Sequence, residues 1–166
     1  MRYILVSGSR GWPHPEKIIA DLDRHRARLG PGDTLVVIHG GARKGADAIA
    51  SAWVRRHRAT RPRSATSEPA LADVAEWVFP ADWGADCRPE CASERGGHGP
   101  RRVRRDGSDY CPAQGNYRNQ RMVDAAARRG AFVALVYILN ESSGAADCLE
   151  RLRAARINTT PILLYT

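Results

Sequence analysis

Short, continuously apolar runs alternate along this chain with stretches whose apolar positions recur every three or four residues. Tyr3-Ile4-Leu5-Val6, Leu35-Val36-Val37-Ile38, roughly Val74 to Phe79, Phe132 to Leu139 and Pro161 to Tyr165 read as strands. Their unbroken, β-branched character is that of strands covered on both faces. Between them, Ile18, Ile19, Leu22 and Leu29 mark the apolar side of a helix opened by Pro15. Ala46, Ile49, Ala50, Trp53 and Val54 mark a second helix. Met122, Val123 and Ala126 mark a third, with Asn116 as its N-cap and an end near Gly130, and Cys148, Leu149 and Leu152 mark a fourth. This order predicts an α/β fold, a Rossmann-like doubly wound parallel sheet of about five strands with helices on both faces.

Two segments break the pattern. Arg55 to Ser67, rich in Arg, Pro, Ser and Thr, reads as a solvated surface loop. Gly84 to Pro112 has no periodicity and is dense in Arg, Gly and Cys, which is unusual inside a compact domain unless something holds it. With 166 residues and 43% hydrophobic content, the expectation is one domain over 1–166 carrying a Cys/His-rich insertion at 84–113. No apolar run is long enough to span a bilayer and the first residues go straight into a strand, so a soluble, cytoplasmic protein is expected. The net charge of +8 invites a nucleic-acid reading, but Lys17 and Lys44 are the only lysines. So skewed an Arg/Lys ratio points to a GC-rich genome as readily as to a binding face. Phosphate-bearing partners are compatible with it; a nucleic-acid groove is not required.

Three polar, small-residue segments fall at strand ends. The first strand runs into Ser7-Gly8-Ser9-Arg10-Gly11-Trp12 and the second into His39-Gly40-Gly41-Ala42-Arg43-Lys44-Gly45-Ala46-Asp47. The fourth runs into Asn140-Glu141-Ser142-Ser143-Gly144. In doubly wound sheets, ligands bind beyond the carboxyl ends of the strands, where strand order reverses. A helix N-terminus after a glycine turn offers free N–H groups to an anion, and glycine lets a phosphate or ribose approach the main chain. Candidate ligand-binding residues are therefore Ser7, Gly8, Ser9 and Arg10; Gly40, Gly41, Ala42, Gly45 and Asp47; Arg118 and Asn119; and Ser142, Ser143 and Gly144. The expected ligand is a nucleotide or nucleotide-derived small molecule. A plain strand-to-helix turn fits the central stretch as well. Ala46 and Asp47 stand where a P-loop needs Lys and Ser/Thr, and Ala42 replaces the second glycine of the Rossmann pattern, which disfavours triphosphate hydrolysis.

Several of these residues carry two readings. Arg10 reaches a ligand phosphate or is a surface arginine, and Asp47 binds a ribose hydroxyl or complements the helix dipole. Arg118 and Asn119 are ligand contacts or caps. Trp12 and Trp83 stack on a base or pack as core or lid, and His39 most simply satisfies its own loop.

Cys87, Cys91, His98 and Cys111 all fall in the aperiodic segment. Three thiolates and one imidazole complete a tetrahedral structural zinc site with no position left for water. Metal binding would also supply the folding energy that such a loop lacks. Arg88, Arg95, Arg101, Arg102, Arg104 and Arg105 surround it and favour ionised thiols. The spacing is not that of a standard finger; a disulfide or unrelated surface thiols are the alternatives, and a cytosolic setting weighs against the first. Cys148, on an apolar helix face, reads as core packing. The Arg101–Arg105 cluster reads as a solvated loop face, with a zinc-loop nucleic-acid-binding module as the least favoured function class.

Four of these motifs together resemble a known family. They are Val6-Ser7-Gly8-Ser9-Arg10, His39-Gly40-Gly41-Ala42 with Gly45-Ala46-Asp47, Phe79-Pro80-Ala81-Asp82-Trp83, and Arg118-Asn119-Gln120-Arg121-Met122-Val123. They resemble the YspA/YpsA-related branch of the SLOG superfamily, named for the Smf/DprA and LOG proteins. The likeness spans nearly the whole chain apart from the loops at 55–73 and 84–112. It implies a Rossmann-like domain for nucleotides or nucleotide-derived ligands, a homodimer, and a phage or bacterial conflict setting. LOG-type relatives are phosphoribohydrolases that cleave the N-glycosidic bond of nucleoside monophosphates. They use an Arg in a Glu-Arg-Lys-x-x-Met stretch and a Glu closing Gly-Gly-x-Gly-Thr-x-x-Glu. Arg118 and Met122 fit the first, with Asn119 in place of Lys, while Cys148 falls at the position of the catalytic Glu. Activating water there calls for a carboxylate, which Asp47, Glu141 or Asp147 would have to supply from another geometry. The resemblance thus carries ligand binding. An N-glycosidase, with Arg118 and Asp47 as its candidate catalytic residues, is the rival.

Overall fold

The apolar runs form the strands of one sheet. The three central ones are covered on both faces, while the edge strands at 73–78 and 159–164 are partly exposed. The computed structural model describes residues 1–59, 71–92 and 98–166. In chain order its elements are β1 (Arg2–Gly8), α1 (Pro15–Ala27), β2 (Thr34–His39), α2 (Ala46–Ala59) and β3 (Asp73–Val78). They continue with β4 (Arg102–Val103), β5 (Asp109–Tyr110), α3 (Gln114–Arg128), β6 (Val133–Leu139), α4 (Ser143–Ala154) and β7 (Thr159–Leu164). The main sheet has the order β3-β2-β1-β6-β7 and every pairing in it is parallel. The chain therefore winds outward from β1 to β3, then returns to the other side of β1 and winds outward again. The reversal falls between β1 and β6.

Alternation along each strand sorts the core into two layers. Ile4, Val6, Leu35, Val37, Val133, Leu135 and Tyr137 pack with Ile18 and Leu22 of α1 and Ala50, Trp53 and Val54 of α2. Leu5, Ile38, Ala134, Val136 and Ile138 pack with Met122, Val123 and Ala126 of α3 and Cys148, Leu149 and Leu152 of α4. Cys148 thus lies in the core, as its place on an apolar helix face implies. Each fully buried Leu, Ile or Val contributes roughly 1.5–3 kcal/mol. Among the described residues, no helix is long and apolar enough to cross a membrane.

Some boundaries differ from the sequence expectations. Asn116 is not the N-cap of α3; Ala113 holds that position without a side-chain bond, and Asn116 sits in the first turn. The helix starts early because its first amide is satisfied from outside, by Gln114 N donating to Cys111 O at 3.2 Å. Its end does lie at Gly130, whose φ of 62° closes a Schellman motif. Gly130 N there donates to Ala127 O, and Ala131 N to Ala126 O. Residues 55–59, expected in a loop, extend α2, supported one turn apart by Arg55 donating to Ser51 and His57 donating to Trp53 O. The rest of that expected loop, 60–67, lies outside the described residues. The segment 84–112 contains a single 3-10 turn at Pro89–Ala92 and the antiparallel β4–β5 pair among its described residues.

One charge is sunk into the α1 side. Asp21 is 3% exposed, and its carboxylate accepts from Lys17 Nζ at 2.8 Å, Arg24 Nη1 at 3.1 Å and Tyr137 OH at 2.9 Å. Burial, reinforced by the Asp21 charge, drives the Tyr137 phenol well above its ordinary value, so it remains a donor. Replacing Tyr137 by Phe should lower the unfolding free energy by about 1.5–3 kcal/mol, the range for a bond to a charged group. The readout is a lower urea midpoint with unchanged slope.

Candidate ligand cavity and metal centre

A cavity of about 560 Å³ opens where the strand order reverses. Its floor is the β1 end, Ser7 to Gly11. One wall comes from Ala42 and Asp47 of the β2–α2 connection, and another from the β6–α4 connection and the first turn of α4. Trp83, Pro112 and the first turns of α3 close the remaining side. Of the sequence candidates, Ser7, Gly8, Ser9 and Arg10 line it, as do Ala42 and Asp47, Arg118 and Asn119, and Ser142, Ser143 and Gly144. Gly40, Gly41 and Gly45 do not.

Those glycines answer to protein neighbours. A Cβ on Gly40 would fall into the Arg118 guanidinium, and one on Gly41 against Val78. At Gly45, φ is 72° and a Cβ would strike the main chain of Ser9 and Arg10. A Cβ on Gly8 would likewise overlap Tyr137 O. The small residues let three segments of the chain close on one another. The cavity is what they leave between them.

Two of the three charged side chains that line the cavity, Asp47 and Arg118, pair with each other. Asp47, 4% exposed, accepts from Ala42 N at 3.1 Å and from Arg118 Nη1 at 3.4 Å through the same oxygen. Arg118 Nε also donates to Asn119 Oδ1 at 3.0 Å. Asn119 Nδ2 donates in turn to Gly144 O at 3.1 Å and Asp147 Oδ2 at 2.9 Å. One chain of bonds thus ties the starts of α2, α3 and α4. Asp147 is held by Arg151 on both oxygens, 2.9 Å each, and does not line the cavity. Cys148 is fully buried, and burial pushes its thiol up to about 11. Trp12 is core, 5.2 Å from the Tyr137 ring, whereas Trp83 lines the cavity with Arg10 over its ring at 5.6 Å.

His39 is satisfied locally. Gly41 N donates to its Nδ1 at 3.2 Å, so Nε2 carries the proton and donates to Glu76 at 2.9 Å. Burial raises the Glu76 pKa, but bonds from His39 and Ser51 together with nearby positive charge outweigh it and hold the carboxyl below its ordinary 4.5. A depressed folded pKa contributes stability that is fully present above 4.5 and is lost as pH falls through the folded value. The stability gap between wild type and Glu76→Gln should therefore be constant near neutrality and shrink below pH 4.5, measured by urea unfolding across that range.

The second cluster is Cys87, Cys91, His98 and Cys111, whose donor atoms all lie within 4.8 Å of one another. Cys91 and Cys111 Sγ are 3.7 Å apart, and His98 Nε2 is 3.7 Å from Cys87 Sγ and 3.3 Å from Cys111 Sγ. A tetrahedron with Zn–S near 2.3 Å and Zn–N near 2.0 Å has edges of about 3.8 and 3.5 Å, so the donor set fits that ion. His98 Nδ1 donates to Pro100 O at 3.3 Å, which leaves the Nε2 lone pair facing the thiols. The loop is wound tightly by His98 N and Gly99 N donating to Cys91 O. The Tyr117 hydroxyl, 3.2 Å from Cys91 Sγ, leads the effects that bring that thiol down to about 7, while burial leads those that push Cys111 up to about 11.

Sequence reasoning missed Tyr117, and it had Asn116 as a cap rather than a cavity residue. On α3, Asn116 and Arg118 turn to the cavity while Tyr117 turns to the cysteines. Nothing local marks that division, because the partners come from the aperiodic loop.

A parallel α/β sheet that winds outward on both sides of its first strand defines a Rossmann-like fold. Within it, the family model described as the YspA, cpYpsA-related SLOG family (YAcAr) matches residues 2–64, from β1 past the end of α2. The resemblance carried by the first two motifs is borne out over that stretch. No curated protein and no solved structure matches the chain significantly.

Proposed function

We propose that this chain is a cytoplasmic binding protein for a nucleotide-derived small molecule, seated at the strand-reversal cavity and stabilised by a structural zinc. The observation that carries the reading is the Asp47–Arg118 pair inside a polar cavity bounded by the first turns of α3 and α4. Asp47 already offsets Arg118, so the unbalanced positive field comes from Arg10 and from the α4 start. A phosphate belongs on that side and ribose hydroxyls at Asp47, with Trp83 as the apolar wall for a base. Nucleotide ligands in SLOG relatives support the same class.

Hydrolysis is the weaker reading. Asp47 is the only carboxylate lining the cavity among the described residues, and it is committed to Ala42 and Arg118. Cys148, at the position of the LOG glutamate, is a buried thiol. Nucleic-acid binding by the cysteine loop is weaker still. Arg101 is spent on Asp109 and on the carbonyls of Gly84 and Ala85, and Arg104 lies over the Tyr110 ring.

Equilibrium dialysis of the metal-loaded chain against adenosine monophosphate and ADP-ribose tests the reading. At least one should bind without release of free base, and Arg10→Ala should weaken it about tenfold or more, the loss of a charge-assisted bond to phosphate. Absence of binding to either, or steady base release, would overturn it. The metal is tested separately by native mass spectrometry. One zinc per chain is expected, lost in Cys111→Ser and retained in Cys148→Ala.

A further inference from the structure

The metal knot and the ligand cavity share one length of chain. Cys111 is followed at once by Pro112, which lines the cavity, and its carbonyl takes the first amide of α3. Cys111 N donates to Trp83 O at 3.3 Å, fixing the residue that forms the opposite part of that wall. The Trp83 ring stands edge-on to Tyr110 at 6.0 Å, and a Cβ on Gly115 would sit 3.2 Å from it. Gln114 Nε2 reaches back to Asp86 O, beside Cys87. α3 has no side-chain cap of its own, so its start is held by the cysteine loop.

Tyr117 is the closest link. Its hydroxyl lies 3.2 Å from Cys91 Sγ, and Arg88 covers its ring at 4.1 Å. It is not one of the four donors, and it does not line the cavity. The next residue is Arg118, which pairs with Asp47 inside the cavity. We infer that the Cys87–Cys91–His98–Cys111 metal knot scaffolds the ligand cavity, with Tyr117 as the positioning residue that couples metal occupancy to Arg118. The inference rests on the ligand and zinc readings above, and it adds regulation: a chain without metal loses the Trp83–Pro112–α3 wall and binds ligand weakly. By linkage, ligand then tightens metal binding by the same factor.

The test compares the full-length chain, zinc-loaded and zinc-stripped, with zinc-loaded Tyr117→Phe. Phe keeps the ring under Arg88 and removes only the bond to Cys91. Zinc affinity, by competition with a chromogenic chelator, should fall about 10- to 100-fold in Tyr117→Phe, the range for outer-shell partners of metal ligands. Amide exchange at Gln114, Asn116 and Tyr117 should accelerate on stripping while β1 and β6 stay protected. Adenosine monophosphate should bind the loaded chain more tightly than the stripped one. Unchanged zinc affinity in Tyr117→Phe, or α3 amides that keep their protection without metal, overturns the coupling. A chain that takes up no zinc overturns it as well. If adenosine monophosphate fails to bind even the loaded chain, the ligand reading is what falls, and chelator competition and exchange still decide the coupling. Should stripping unfold the whole chain, the loaded Tyr117→Phe comparison decides alone.

Discussion

The carboxyl end of the central strand is a place where three segments of backbone meet with no side chain between them. Ser9 N donates to Tyr137 O, and Ser9 Oγ accepts from Leu139 N, so the loop after β1 is stitched to the end of β6 on one side. On the other, Gly45 lies against the main chain of Ser9 and Arg10. A Cβ at Gly8 or Gly45 would have to part these segments, and with them the starts of α2 and α4. The strand reversal between β1 and β6 creates the crevice; this close contact sets its floor. The same contact explains why the stretch misses the named phosphate-loop motifs. Its glycines are spaced to admit neighbouring chain, not to wrap a triphosphate.

The excess of arginine also has an internal account. Arg26 donates to Ala72 O and Arg58 to Val74 O, on the edge strand β3 and its approach, where carbonyls the sheet leaves unpaired need partners. Arg121 donates to Pro80 O, and Arg101 to the carbonyls of Gly84 and Ala85. A planar guanidinium with five N–H groups can reach two or more such acceptors at once, which lysine cannot do in a fixed geometry. Arg26, Arg58, Arg101 and Arg121 are thus spent on backbone carbonyls. In the cavity, by contrast, Arg118 is offset by Asp47, and the excess positive charge is that of Arg10.

What could be read from the sequence follows from how local its physics is. The strands, the four helices and the two-layer core come from periodicity, and Ile4, Leu5 and Val6 or Val133 to Ile138 leave little choice. The four metal-type donors could be picked out because soft ligands concentrated in one aperiodic segment have few other reasons to gather. The start of α3 was not legible, because its cap is the Cys111 carbonyl rather than a side chain in the helix sequence. Nor was the helical state of 55–59, where the Arg-rich tail looks like a loop but Arg55–Ser51 and His57–Trp53 contacts one turn apart hold it. The roles of Gly40 and Gly45 depend on Arg118 and Arg10, which only the folded chain brings to them.

The loop from 84 to 112 has no core except its donors. Among its described residues only Cys91 and Cys111 are buried, and the β4–β5 pair is two residues per strand, too short to hold itself. Neither hydrophobic layer of the sheet draws on this segment. Closing so long a connection costs conformational entropy that scattered arginine–carbonyl bonds at an exposed surface do not offset. Four converging donors would do so with a metal bound, because an ion that binds only the folded arrangement adds its binding free energy to the fold. The helix start that carries Arg118 is anchored to this segment by the Cys111 carbonyl and by the contact of Tyr117 with Cys91.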